Sequence, residues 1–245
     1  MSALDKRPSR VAGMFDAIAE RYDLLNHVLS LGFDWGWRRR AVRSLGLRGG
    51  ETVVDVCTGT GDLALAAARG GAGRVVGVDF AGNMLQLGER KVRERPRQLR
   101  SSRVWMVRGD ATRLPVAGGV AAAVTVAFGI RNVEDPRLAL GELHRVLKPE
   151  GRLAILEFSI PRSPAVRALY LPYFRHVLPR VGRAVSGHGS AYSYLPASVA
   201  AFTPPEEMIR LLRERGFSAL RCVPLTFGVV TLYTARKAEA RMADV

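Results

Sequence analysis

The stretch Glu51–Leu63, ETVVDVCTGTGDL, constrains the fold more than any other part of the chain. Val53, Val54, Val56 and Cys57 form a short apolar run bounded by turn residues, which reads as a buried β-strand. Gly59-Thr60-Gly61 then forces a tight turn, and Asp62 stands where a helix N-cap belongs, ahead of LALAAAR. A strand, a glycine turn and a helix N-terminus let a ligand come close to free backbone N–H groups. The other strand ends must say what that ligand is.

The same rhythm continues downstream. Arg74–Phe80, Val104–Asp110, Val120–Phe128 and Arg152–Ser159 predict strands, and Ala81–Glu94 and Glu134–Leu147 predict helices. This alternation implies a parallel sheet with helices on both faces. The ending departs from it: a helix over Pro204–Arg215 precedes two strands, Ser218–Thr226 and Val229–Lys237, around Phe227-Gly228. The expected fold class is α/β: a Rossmann-like, seven-stranded, mostly parallel sheet with a C-terminal antiparallel hairpin. That is the layout of class I S-adenosylmethionine-dependent methyltransferases.

Two segments lie outside this core. Val11–Leu31 has apolar residues at helical spacing (Val11, Phe15, Ile18, Tyr22, Leu25, Leu29), with Gly32 expected to end the helix. Phe33, Trp35 and Trp37 then alternate with Asp34 and Gly36 before Arg38–Arg40, an aromatic packing element with a basic patch. Ile160–Thr203 is far longer than the usual connection of about 4–6 residues, and reads as a lid or an extra helical layer. The chain is thus one domain in four parts: an N-terminal cap (11–48), a cofactor-binding core (51–159), an insertion (160–203), and a C-terminal helix and hairpin (204–237).

The 245 residues suffice for one large α/β domain with additions. The formal net charge is +15, supplied almost wholly by arginine. Arginine excess suits a GC-rich coding sequence; the positive sign itself favours anionic partners. Cys57 and Cys222 make no disulfide framework and no metal site, and their apolar surroundings predict buried thiols. The N-terminus lacks an apolar signal core, and the longest apolar run, Val120–Ile130, is well short of the ~20 residues of a membrane span. A cytoplasmic, metal-free protein is expected, able to touch the inner face of a membrane.

In open α/β sheets, ligands bind beyond the carboxyl ends of the strands. Asp79 can accept both hydroxyl hydrogens of a ribose, a role shared by NAD and S-adenosylmethionine sites, or it can cap a helix. Asp110 can accept the adenine amino hydrogens while the Ala111 N–H meets the ring nitrogen, which dinucleotide enzymes do not require. Asp55 either reaches the cofactor's amino group through the turn or holds the turn itself. Together Asp55, Gly59, Thr60, Gly61, Asp79, Asp110, Ala111 and Ala127 point to S-adenosylmethionine, with S-adenosylhomocysteine as product. A nucleic-acid partner is not expected. Amino-methylating enzymes of that class carry an Asn/Asp-Pro-Pro-aromatic turn where this chain has Ala127-Phe128-Gly129-Ile130-Arg131.

Three segments resemble the UbiE/MenG family of quinone C-methyltransferases, over about Val11 to Lys237. The first is Tyr22-Asp23-Leu24-Leu25-Asn26 with Ser30-Leu31-Gly32 and Trp37, where the family usually has Met at the place of Leu25. The second is Phe128-Gly129-Ile130-Arg131-Asn132-Val133. The third is Arg145–Gly151, with Glu150 in place of a common glycine; Ala191-Tyr192 and Tyr194-Leu195 match an AYxYL segment. The resemblance implies methylation of a ring carbon of a polyprenyl hydroquinone. Demethylmenaquinol becoming menaquinol is the leading case, and a ubiquinone-pathway benzoquinol is the alternative.

A hydroquinone ring carbon is a weak nucleophile until the adjacent hydroxyl, titrating near ~10 by analogy with tyrosine, loses its proton. The protein must stabilise that phenolate or supply a base. Arg131, just past the fourth strand and charged at any working pH, is the first catalytic candidate. Tyr192 and His188 in the insertion are candidates for an orienting group or base. Tyr22, Asp23 and Asn26 share a helix face and, with Asn132, are expected to close over the site. His144 is expected to face solvent. The aromatic N-terminal and insertion segments are expected to meet an anionic membrane surface, and a homodimer is among the assemblies open to the chain.

Overall fold

Strand β1 (Thr52–Val56) pairs in parallel with β2 (Arg74–Asp79) on one side and β4 (Ala121–Ala127) on the other. The computed structural model describes residues 6–96, 102–177, 180 and 189–238. Beyond β2 lies β3 (Arg103–Arg108), and beyond β4 lies β5 (Leu147–Phe158), both parallel to their neighbours. β7 (Val230–Lys237) then joins β5 antiparallel and β6 (Phe217–Leu225) closes the edge, giving the order β3-β2-β1-β4-β5-β7-β6. The order reverses between β1 and β4, the switch point at which such sheets leave a crevice.

Both faces of the sheet are covered, which is why its strands read as continuous apolar runs. On one face Val54, Val56, Val124, Val126 and Ile155 pack against α5 (Pro136–Val146) and α8 (Pro205–Glu214). On the other, Val53, Val75, Ala123, Ala154 and Leu156 pack against α2 (Phe33–Ser44) and α3 (Asp62–Arg69). α4 (Gly82–Glu94) links β2 to β3. A third apolar cluster joins α1 (Pro8–Leu29), α6 (Pro164–Pro172) and α7 (Gly189–Ala200) through Ile18, Leu25, Tyr170, Phe174 and Val199. That cluster holds the N-terminal helix and the insertion together over the carboxyl ends of the strands.

Several local expectations change in three dimensions. The Phe33–Arg40 stretch is helical, so its aromatics divide by helix face: Trp37 is 6% exposed and Trp35 60%. The N-cap of α3 is Gly61, at φ 82, and Asp62 is the first helical residue. The Asp62 carboxylate is drawn sideways to Lys91 at 2.6 Å and Arg38 at 3.6 Å instead of capping its own helix. β5 begins at Leu147, because Ala121 pairs with Leu147 and Ala123 with Arg152, leaving Lys148–Gly151 as a bulge with Glu150 at φ 58. Cys222 is exposed, since β6 is the edge strand. His144 is half-buried with its ring edge-on to Phe217 at 5.1 Å, and burial lowers its pKa.

Candidate active site

At the ends of β1 and β4 the backbone turns sharply. Cys57 and Phe128 adopt positive φ, 55° and 57°, a conformation that costs non-glycine residues about 1–3 kcal/mol and gathers at functional sites. The two strand ends come so close that a Cβ on Gly129 would lie 2.2 Å from the Cys57 Cβ. Gly59 (φ 54) faces open space, whereas a Cβ on Gly61 would meet the Met106 methyl at 2.2 Å. Gly59 therefore keeps a surface clear, and Gly61 serves close packing.

The acids at this end do different work. Asp55 is fully buried and accepts from Thr58 Oγ1 and Thr125 Oγ1, both at 2.6 Å. It holds the turn, and burial pushes its carboxyl up to about 6 against those two hydrogen bonds. Asp79 accepts from the Gly59 N–H at 2.8 Å and the Ala81 N–H at 3.0 Å. Burial raises its pKa as well, opposed by those backbone N–H groups. Asp110 accepts from the Thr112 N–H and Oγ1, both at 2.8 Å, which spends one oxygen on its own turn beside the buried Ala111.

Gly59, Asp79, Ala127, Asn132 and Tyr22 line one cavity of about 40 Å³ together with Phe128 and Gly129. Asn132 Oδ1 is buried and without a hydrogen-bond partner among the described residues. A free acceptor beside an open glycine and a carboxylate suits a ligand with amino and hydroxyl hydrogens. Asp110 and Ala111 do not line this cavity.

Val11, Phe15 and Tyr22 of α1 roof it. The roof is fastened by an ionic latch. Asp23 accepts from Thr60 Oγ1 at 2.6 Å, and Lys91 Nζ lies 2.6 Å from Asp23, 2.6 Å from Asp62 and 3.0 Å from Thr60 Oγ1. Asp16 adds a bond from the Asn83 N–H at 2.8 Å. Thr60 and Asp23, both expected at the ligand, here join the glycine turn to the N-terminal helix.

A second cavity, of about 260 Å³, shares Phe15, Tyr22 and Phe128 with the first and is mostly apolar. Phe128 and Phe158 face each other across 4.6 Å, and Trp37, Tyr170 and Phe174 complete an aromatic wall. Asn26, Asp34, Arg38, Arg131 and Tyr194 are among its polar members. Arg131 is 4% exposed, not on an open rim. Its Nη1 donates to Glu157 at 2.7 Å and to the Phe128 carbonyl, and its Nε to Ser198 Oγ at 3.3 Å. Nη2 makes no hydrogen bond among the described residues, and the guanidinium lies 5.5 Å from the Phe158 ring centre. Burial pushes the Glu157 carboxyl upward, against Arg131 and two backbone N–H groups. Tyr192 falls within α7, with its side chain outside the description; His188 lies outside the described residues.

This two-part site belongs to a chain whose residues 3–237 match the model of the ubiE/COQ5 methyltransferase family. The chain belongs to that family. It is 43% identical over 239 residues to the ubiquinone/menaquinone biosynthesis C-methyltransferase UbiE of Citrifermentans bemidjiense, covering 97% of this chain and 100% of that one. It is 46% identical over 221 residues to the demethylmenaquinone methyltransferase of Thermus thermophilus, covering 90% of this chain and 98% of that one. The fold is shared with an S-adenosylmethionine-dependent methyltransferase of Thermotoga maritima at a TM-score of 0.64 and 19% identity, covering 92% and 98% of the two chains.

Sequence reasoning passed over two features of this ubiE/COQ5 methyltransferase. Glu157 was legible as a lone acid at the carboxyl end of an apolar strand, the same cue that singled out Asp79 and Asp110. The apolar cavity had no local signal, because its walls come from α1, α2, α6, α7 and three strand ends.

Proposed function

We propose that the protein transfers a methyl group from S-adenosylmethionine to a ring carbon of a polyprenyl hydroquinone, with demethylmenaquinol as the substrate and menaquinol as the product. The observation that carries this is the contact between the two cavities. A crevice at the strand ends that carries Asp79 and Asn132 among apolar walls and a larger, aromatic-walled pocket meet across Phe15, Tyr22 and Phe128. One is suited to a charged cofactor, the other to a flat ring with a hydrocarbon tail.

The residues present fit S-adenosylmethionine. Asp79, Asn132 and the clear Gly59 backbone would hold it, and when bound it supplies an electrophilic methyl group. Pockets for ligands of this size run to roughly 300–1,000 Å³, more than the 40 Å³ beneath α1 alone, so the cofactor would extend beyond this cavity. On the substrate side, Arg131 Nη2 would hydrogen-bond the oxygen that becomes a phenolate. The Glu157 partner keeps the guanidinium fixed and limits its surplus charge. Expulsion of water by the aromatic wall strengthens that contact. The methyl carbon–sulfur bond would break as the carbon–carbon bond forms, leaving S-adenosylhomocysteine, and the displaced ring proton would pass to solvent as aromaticity returns.

The quinol tail must be drawn from a lipid phase, and the protein is read as a cytoplasmic one that meets the membrane peripherally. Among the described residues no helix is long and apolar enough to cross a membrane. Leu31 and Phe33 line the apolar pocket and are exposed, and Leu169 and Phe227, each 82% exposed, adjoin its lining residues Tyr170 and Thr226. Aromatic and apolar side chains here suit the headgroup layer of a membrane.

The test is turnover with methyl-labelled S-adenosylmethionine and short-tailed demethylmenaquinol, read by mass spectrometry beside the corresponding demethyl benzoquinol. Label is expected on the naphthoquinol ring carbon. Transfer to the benzoquinol alone would move the substrate to the ubiquinone series, and transfer to neither would remove the quinol assignment.

A further inference from the structure

Two hydroxyls of the apolar pocket, besides Arg131 Nη2, have nothing to bond among the described residues. Tyr170 Oη and Tyr194 Oη are each buried and without a hydrogen-bond partner among the described residues, and both residues line the pocket. Tyr170 is only 8% exposed. Neighbouring polar groups are served by the fold: Tyr173 donates its hydroxyl to the Leu29 carbonyl at 3.0 Å, and Trp37 donates Nε1 to Thr226 Oγ1 at 2.8 Å. A buried phenol with no partner is less favourable than phenylalanine in the same place. The Tyr170 ring already stacks on Phe174 at 4.8 Å, so packing is satisfied without the hydroxyl. An unpaired buried hydroxyl of this kind calls for an explanation.

Three features identify the missing partner. The pocket is apolar and aromatic, so the partner is carried by a flat, largely apolar molecule. The hydroxyls come from different helices, α6 and α7, so they are two independent donors to whatever occupies the pocket. Burial raises both phenol pKa values and Arg131 opposes it in both, so both lie within the field of the one guanidinium. They therefore stay protonated near neutral pH and act as donors.

We propose that the Tyr170 and Tyr194 hydroxyls bind the two ring oxygens of the quinol and thereby set which ring carbon faces the methyl donor. This rests on the quinol reading given above. Two para oxygens on one ring match two donors better than a single polar anchor, which would leave the ring free to rotate in plane. Arg131 then serves the oxygen beside the reacting carbon, and the tyrosines fix the ring's orientation.

The test uses Tyr170→Phe, Tyr194→Phe and the double variant in the full chain. Each single variant is expected to keep its S-adenosylmethionine affinity and to melt at or above the wild-type temperature. Each should lose about tenfold in kcat/KM for the demethylated quinol, chiefly through KM, with about 100-fold in the double variant. With an analogue lacking the ring hydroxyl remote from the methylated carbon, one of the two single substitutions should cease to matter. Wild-type kcat/KM in both single variants, while the wild type turns over the quinol, would overturn the inference and leave the reaction standing. A lowered melting temperature with KM unchanged would also overturn it, since that marks a purely structural role. No turnover of any quinol by the wild type would instead remove the reaction itself.

Discussion

The two cavities are built by opposite means. The floor of the strand-end crevice is made of backbone: two residues at positive φ, a glycine that leaves space, and carboxylates that accept N–H or hydroxyl hydrogens from their own and neighbouring strand ends. The adjoining pocket is made of side chains from segments far apart in sequence, with two buried ion pairs among the described residues at its polar corners, Arg131–Glu157 and Arg38–Asp34. The floor of the crevice is fixed locally, by Asp55 and Asp79 accepting from the turn that follows β1. The pocket keeps its shape only while its long-range contacts persist. Damage to one partner should therefore be more costly in the pocket than in the crevice.

The largest effect is expected for Glu157→Ala. Among the described residues, it leaves Arg131 buried with its charge facing the Phe128 carbonyl, the Ser198 hydroxyl and the Phe158 ring. Breaking a buried pair from one side costs about 3–5 kcal/mol, measurable as a shift in the urea midpoint at constant slope. A loss below ~1 kcal/mol would show that water or a rearranged neighbour satisfies Arg131, and the proposed contrast between the regions would fail.

The crevice gives a pH signature instead. Folded Asp55 keeps its proton to about pH 6, while an aspartate in the unfolded chain releases it near ~3.9. Between these values the folded state binds more protons, so this group's contribution falls as pH rises through the window and is level above it. Two pK units amount to at most about 3 kcal/mol. The stability of Asp55→Asn relative to wild type should therefore improve by up to that amount from pH 4 to pH 7, measured by urea titration at each pH. A difference that stays flat would show that Asp55 ionises at its ordinary value, and that Thr58 and Thr125 fully offset its burial.

How each region is built also decides how much of it can be read from sequence. The parallel sheet, its antiparallel finish and the glycine turn follow from residues adjacent in the chain: apolar runs, strand-ending acids and glycines. The first mistaken details concern competition between neighbours. Asp62 looks like a cap until Lys91 and Arg38 are placed beside it, and Cys222 looks buried until β6 proves to be an edge. Arg131 is visible in the sequence, but its burial is not, because Glu157 and Ser198 reach it from β5 and α7. Tyr170 and Tyr194 gain their meaning only from what fails to surround their hydroxyls.

The smallest effect is expected at the seam between the two regions. Lys91 ties Asp23 of α1 to Thr60 in the glycine turn and Asp62 of α3, so one side chain fastens the roof to the crevice. About a third of that side chain is exposed, so solvent and salt screen it, and the latch is worth about 1 kcal/mol. Lys91→Ala should leave global stability nearly unchanged. Amide exchange in α1 near Asp23 should speed up about fivefold, the factor that ~1 kcal/mol corresponds to, and S-adenosylmethionine should dissociate faster by a similar factor. High salt should accelerate exchange in the wild type toward the variant's rate and leave the variant unchanged. If exchange in α1 is equal in both proteins at low salt, the roof is held by its apolar face alone, through Ile18, Leu25 and their partners on α6 and α7. The crevice would then depend on the same long-range packing as the pocket, and the distinction between them would narrow to the turn itself.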